Sequence, residues 1–185
     1  MRHLSNSESM STPTNGGGGT EAQAKDVCLR LLTDRARSRA ELAERLAKKG
    51  FEDDTAQRVL DRLTEVGLVD DADFAQQWVH SRHTYSGRGK RALALELRRK
   101  GVDQEDAAQA LDQISADDER EKASELVARK MRTVSLDDRD RAMRRLVGML
   151  ARRGFPAGLA FDVVKEHIAQ AGAEMDDAPP VPDDF

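Results

Sequence analysis

The sequence is short of the residues on which most catalytic and secreted folds depend. Cys28 is the only cysteine, which excludes an internal disulfide and fits a reducing cytoplasm. Its place among Val27, Leu31 and Leu32 suits a small core residue better than a reactive thiol. Aromatic residues make up 4% of the chain, too few for one thick core, while 35% of residues are charged. That balance suits thin helical units, each with a narrow core of its own. No apolar run approaches the ~18 residues of a membrane helix, so no membrane partner is expected. The polar N-terminal stretch, Met1 to Gly19, has no apolar segment of the secretory type. The expected location is cytoplasmic.

Catalytic signatures are also missing. The Gly16–Gly19 run lacks the strand and Lys of a phosphate loop and reads as linker. There is no Gly-x-Ser-x-Gly elbow and no Cys/His pairing that would make a nucleophile. His80 and His83 stand three apart on one helix, but no third ligand of suitable type follows, so no metal site is expected. Acidic residues lie scattered between bases, as on solvated helix faces and caps. The chain reads as a binding protein without cofactor, not an enzyme.

Charge is present but unevenly placed. The segment from Gly172 holds Glu174, Asp176, Asp177, Asp183 and Asp184 without a base, and the stretch before Lys25 has a net charge of −1. With −4 overall, the body between them is left at +2. Residues 1–22, rich in Ser, Thr, Asn and Gly, are expected to form a disordered arm, and residues 172–185 an acidic disordered tail that could screen the basic body.

Between these ends the sequence repeats. Leu46-x-x-x-Gly50-Phe51 returns as Leu97-x-x-x-Gly101-Val102 and Leu150-x-x-x-Gly154-Phe155, each preceded by Leu42, Leu93 or Leu146. Ala56, Ala107 and Ala160 follow at a fixed offset, then Val59-Leu60, Ala110-Leu111 and Val163-Val164. The paired leucines are one helical turn apart, and each Gly falls where a helix ends in a left-handed residue. Asp53 or Asp54, Asp103 and Pro156 then open a third helix. Ser38 with Glu41, and Ser135 with Asp138, have capping-box spacing at the start of second helices. No alternating strand pattern occurs. The expected fold is all-α: three tandem three-helix modules, over 23–72, 73–117 and 118–171, forming an elongated body.

The densest positive stretch lies in the middle module. Arg82, Arg88, Lys90, Arg91, Arg98, Arg99 and Lys100 face Glu96 alone, and Tyr85 stands in what reads as a loop. Arg88, flanked by glycines before a helix, could offer an anion its guanidinium together with free backbone N–H groups. Arg144, Arg145, Arg152 and Arg153 form a weaker cluster, as do Arg35, Arg37 and Arg39 with Lys48 and Lys49. Bases just before Gly50, Gly101 and Gly154 equally suit helix C-termini, where they meet the macrodipole.

Gly67-Leu68-Val69-Asp70-Asp71-Ala72-Asp73-Phe74-Ala75, followed by Arg82, Gly87-Arg88-Gly89, Leu93, Glu96-Leu97 and Lys100-Gly101-Val102, resembles the signature of the RecX regulatory proteins. The resemblance spans about residues 24–171 and is looser in the third module. It implies a cytoplasmic, cofactor-free modulator, expected to be monomeric, that binds the filament of the RecA recombinase on DNA. It further implies restraint of ATP hydrolysis, strand exchange and co-protease activity, with contact to DNA, single-stranded first and double-stranded second, chiefly through the filament. The residues named for contact are Arg82, Tyr85, Arg88, Lys90, Arg91, Arg98, Arg99, Lys100, Arg144, Arg145, Arg152 and Arg153. A stand-alone helix-turn-helix DNA-binding protein is the alternative.

Overall fold

A computed structural model describes residues 19–176. Among them are helices α1 (Glu21–Asp34), α2 (Arg39–Lys48), α3 (Asp53–Glu65), α4 (Asp71–Ser86), α5 (Lys90–Arg99), α6 (Gln104–Leu111), α7 (Ala116–Met131), α8 (Arg139–Arg152) and α9 (Ala157–Asp176), with no strand among the described residues. Helix packing is concentrated within consecutive trios, so α1–α3, α4–α6 and α7–α9 form modules 1, 2 and 3.

Each trio closes on its own core, made from the residues that repeat. Leu42, Leu46, Val59 and Leu60 are buried with Ala24 and Cys28 in module 1. Leu93, Leu97 and Ala110 meet Phe74 and Val79 in module 2, and Leu146, Leu150, Val163 and Val164 meet Leu126 and Val127 in module 3. Each fully buried Leu or Val contributes roughly 1.5–3 kcal/mol. The repeated glycines turn the chain between second and third helices: Gly50, Gly101 and Gly154 have φ of 83°, 72° and 90°. An L-residue in that region costs about 1–2 kcal/mol, which is why glycine recurs there.

The helix starts depart from the sequence expectation in places. Ser38 and Glu41 do form a reciprocal capping box on α2. In module 3, however, Asp138 caps α8 by accepting from Arg141 N, while Ser135 closes a turn with Asp137 upstream. Tyr85 and Ser86 form the last turn of α4 and are not in a loop, because Gly87, at φ 59°, is the residue that ends the helix. Gly172, expected to begin the tail, is a buried residue of α9. A Cβ there would stand 2.9 Å from Arg139 Nη2, so its bareness lets α9 pass close to the start of α8. At the other end α1 begins two residues inside the expected arm, with Thr20 as its cap. The remainder of the expected arm and tail lies outside the described residues.

Successive modules join by one repeated contact between helix ends. The C-terminal turn of α5 abuts the N-terminal turn of α2: Ser38 Oγ donates to the Lys100 carbonyl at 2.6 Å. The C-terminal turn of α8 meets α5 in the same way, with Gly89 N donating to the Arg153 carbonyl at 2.8 Å and Arg91 N to that of Gly154 at 3.2 Å. A carboxylate from the following module's first helix completes each junction. Asp71 accepts from Arg39 N at 2.7 Å, and Glu119 from Lys90 N at 2.9 Å. At the second junction donors left over at one helix start thus satisfy acceptors left over at another helix end, and at the first the Ser38 hydroxyl does so. At both, the macrodipoles meet head to tail.

Candidate functional site

The junctions decide which bases are available. Arg82 and Arg88 both pair with Glu96, at 3.1 and 3.3 Å. Lys100 pairs with Glu41 at 2.8 Å and lies 4.2 Å from the centroid of the Trp78 ring. Trp78 stacks on Phe74, donates its indole N–H to Glu96 at 2.9 Å and carries Arg82 on its face at 5.5 Å. It is therefore a clamp between α4 and α5, holding three of the expected contact bases in place. Burial alone would raise the Glu96 carboxyl. Hydrogen bonds from Arg82 and Trp78, with the charges of Arg82 and Arg88, hold it below the usual range instead.

The expected anion cradle at Gly87-Arg88-Gly89 does not form. The first backbone N–H groups of α5 point into the junction with module 3 and are taken by Arg153, Glu119 and Gly154. Arg88 N donates to the Arg82 carbonyl at 3.2 Å. No N–H of this turn is left for a ligand; what remains is side-chain charge. The histidine pair is divided as well. His83 is buried, its Nδ1–H donating to the Arg88 carbonyl at 2.8 Å, while His80 is exposed. No cluster of three potential metal ligands occurs among the described residues.

The remaining expected bases sort by helix face. Arg91, Arg98 and Arg99 on α5, and Arg144, Arg145 and Arg152 on α8, are exposed and make no ion pair among the described residues. Lys90 is half-buried. Arg153 lies inward, its guanidinium donating to the carbonyls of Ser86 and Gly87 at 2.8 and 3.4 Å. Tyr85 is 81% exposed at the end of α4 and shares a shallow groove with Lys122, Arg129 and Lys130 of α7. Sequence reasoning missed those three bases, because only the packing brings α7 beside α4. It also missed Leu95, which is 47% exposed between Arg91 and Arg98 at positions i, i+4 and i+7 of one face. An apolar side chain flanked by unpaired guanidiniums suits contact with an acidic protein surface or with phosphates.

In module 1 the three arginines that lead into α2 are engaged internally. Arg35 pairs with Glu41, buried Arg37 bonds to Asp34 and the Leu31 carbonyl, and Arg39 bonds to Asp61 and Gln57, both at 2.7 Å. These three arginines are engaged within module 1, whereas Arg91, Arg98, Arg99, Arg144, Arg145 and Arg152 of modules 2 and 3 are left without an ion pair among the described residues.

Comparison with known proteins accounts for the repeat. Three family models match in order: the first three-helix domain of RecX over residues 24–63, the second over 70–111 and the third over 117–164. The chain belongs to the RecX family. Its relatives include the regulatory protein RecX of Mycolicibacterium smegmatis, 58% identical over 153 residues, covering 80% of this chain and 81% of that one. The RecX of Mycobacteroides abscessus is 61% identical over 150 residues, covering 80% and 74%. Among solved structures, the crystal structure of RecX from Lactobacillus salivarius matches with a TM-score of 0.73 at 21% identity, covering 81% of this chain and 97% of that one. At that identity the likeness speaks for the fold. No described helix is long and apolar enough to cross a membrane.

Proposed function

We propose that this RecX-family chain is a cytoplasmic regulator that binds RecA and its DNA filament as a monomer and restrains RecA's ATPase, strand exchange and co-protease activity. The observation that carries the reading is the match to all three RecX domains, in order and along most of the chain. The charge distribution supports it. Exposed bases on α5 and α8 lie along an array of three separate cores, so one molecule presents several weak contacts that add through effective concentration.

The stand-alone helix-turn-helix reading has less support. Such a module inserts the N-terminal part of a helix into the major groove. Here the N-terminal turns of α2 and α5 are closed by the next module, and α3 and α6 begin with Asp53 and Asp54 or with Glu105 and Asp106. Acids at those positions would repel the backbone of a duplex.

The test is RecA's DNA-dependent ATPase on single-stranded DNA, titrated with this protein. Inhibition at amounts well below one molecule per RecA subunit is the expected result. An unchanged ATPase at saturating protein would overturn the proposal, and inhibition requiring one molecule per subunit would remove the multi-contact part of it.

A further inference from the structure

Modules 2 and 3 enclose a cleft of about 350 Å³ between α4, the Gly87–Gly89 turn and α8, lined by Arg82, Ser86, Arg88, Met149, Arg152 and Arg153. Four of the six lining side chains are guanidiniums. One carboxylate, Glu96, is bonded to two of them, so these groups together carry a formal +3. Arg153 donates to neutral carbonyls, which orient the group without cancelling its charge. Arg152 makes no ion pair among the described residues and is exposed. Like charges brought this close repel one another. The junction does not need Arg152, since backbone bonds from Gly89 and Arg91 already close it.

A second, independent feature points to the same place. Gly148 sits in the interior of α8, where glycine costs roughly 1 kcal/mol relative to alanine. A Cβ at that position would stand 3.2 Å from Arg152 Nη1. The bare backbone lets the Arg152 guanidinium lie back along α8, at the wall of the cleft. A helix-weakening residue thus sits beneath the one cleft arginine that the fold leaves without a partner.

We propose that this cleft binds a phosphate group, held between Arg152 of module 3 and Arg82 and Arg88 of module 2. Guanidinium forks match the oxygens of a phosphate in geometry as well as charge, and several of them converging favour a group with more than one acceptor oxygen. A phosphate placed there spans the junction and fixes module 3 against module 2. The phosphate could come from a nucleic-acid backbone or from a free polyphosphate. The nucleic-acid source rests on the function proposed above. The site itself does not require RecA, so the two readings fail separately.

The experiment uses the full chain alone, at low salt, titrated with inorganic tripolyphosphate and with a short oligothymidylate, read by calorimetry and thermal melting. The wild-type protein is expected to bind and to melt higher on binding. Arg152→Ala should weaken binding roughly five- to tenfold, while Arg30→Ala, an exposed base of module 1, should leave it unchanged. Gly148→Ala should move the two readouts in opposite directions, raising the melting temperature of the free protein and weakening phosphate binding, a pattern that loss of folding cannot produce. Binding of the oligonucleotide alone, lost in Arg152→Ala, assigns the phosphate to a nucleic-acid backbone; equal or tighter binding of tripolyphosphate, equally dependent on Arg152, assigns it to a free polyphosphate. The proposal is overturned if neither ligand binds, or if Arg152→Ala and Arg30→Ala lose affinity equally, since diffuse surface charge would then account for the binding.

Discussion

Where module 2 meets module 1, Lys100 reaches back to Glu41; where module 3 meets module 2, the matching residue Arg153 finds Ala92 at the place of Glu41 and turns to the carbonyls of Ser86 and Gly87. The helix ends meet at equivalent caps, Ser38 and Gly89, the first donating from its side chain and the second from its backbone. The exchange of a carboxylate for a methyl group leaves the cation paired at the first junction and bonded only to neutral carbonyls at the second. At the first junction the bonds between modules come from side chains, Ser38 and Asp71, whereas at the second the backbone N–H groups of Gly89 and Arg91 reach the carbonyls directly.

The largest expected effects come from crowding the junctions. A Cβ at Gly154 would stand 2.4 Å from the backbone N of Ala92, at Gly101 it would stand 2.3 Å from Ala40 Cβ, and at Gly50 it would meet nothing within 4 Å. All three have positive φ. Gly50→Ala should therefore cost only the backbone strain, about 1 kcal/mol. Gly101→Ala and Gly154→Ala should add an overlap penalty and lose roughly 3 kcal/mol each. Ala40→Gly should relieve Gly101→Ala, because the obstacle there is a side chain. Ala92→Gly should not relieve Gly154→Ala in the same way, because the backbone N of Ala92 stands as near as its Cβ. Urea melts of the single and double variants measure this, and equal losses at the three glycines would contradict close packing of Gly101 and Gly154 at the junctions.

Acid should separate the junctions next. Burial pushes the Glu41 carboxyl upward, but Arg35, Lys100 and the backbone of Ser38 outweigh it and hold the group at about 2, against 4.5 ordinarily. A depressed carboxyl contributes stability that is complete above about pH 4.5 and is lost as pH falls toward 2. Glu41 is largely shielded from solvent, and the contribution is on the order of 2–3 kcal/mol. Asp71, at the same junction, works in the opposite direction: burial raises it, so its protonation on acidification is favourable. The larger shift, that of Glu41, sets the sign. Glu41→Gln should melt lower than wild type at neutral pH, and the gap should close as pH falls through this window. A gap that stayed constant with pH would mean that the ionisation of Glu41 contributes nothing to stability.

The modules themselves were legible in the sequence because their cause is local and repeated. Leu42 and Leu46 with Gly50, and their two echoes, give both the buried face and the end of each second helix. The candidate site was only half legible. Arg91, Arg98, Arg99, Arg144, Arg145 and Arg152 were found as bases and prove exposed, whereas Arg82, Arg88 and Lys100 look identical in sequence but are paired. What distinguishes them is Glu41, 59 residues from Lys100, and Glu96 held beneath Trp78. Contacts between modules follow no local period, so neither the blocked N–H groups of α5 nor the approach of Lys130 to Tyr85 could be read beforehand. The difference between Glu41 and Ala92 was visible as letters, but its meaning depends on knowing that the two positions occupy equivalent places at two junctions.

That difference can be transplanted. Ala92→Glu should place a carboxylate in the junction of modules 2 and 3, near Arg153, and lower affinity for the RecA–DNA filament several-fold by neutralising local charge. Folding should survive, because Ala92 is only half-buried. Affinity measured by filament co-sedimentation or fluorescence anisotropy checks this, and unchanged binding would show that net charge at this junction is irrelevant.

The smallest effect is the most diagnostic of which arginines touch phosphate. Arg91 and Arg144 occupy equivalent places on α5 and α8, both exposed and without an ion pair among the described residues, whereas Arg39, in module 1, is bonded to Asp61, Gln57 and Thr64. Each phosphate contact releases condensed counterions, so removing one should flatten the slope of log affinity against log salt by about one unit at most. Arg91→Ala and Arg144→Ala should each flatten the slope for single-stranded DNA by a fraction of that. They should leave the melting temperature within error, because exposed side chains without partners contribute little to folding. Arg39→Ala should do the reverse, lowering the melting temperature slightly and leaving the slope as it was, since its charge is engaged within module 1. If all three variants flattened the slope alike, the protein would be sensing DNA through its overall field, and the distinction between the paired Arg39 and the unpaired Arg91 and Arg144 would have no bearing on binding.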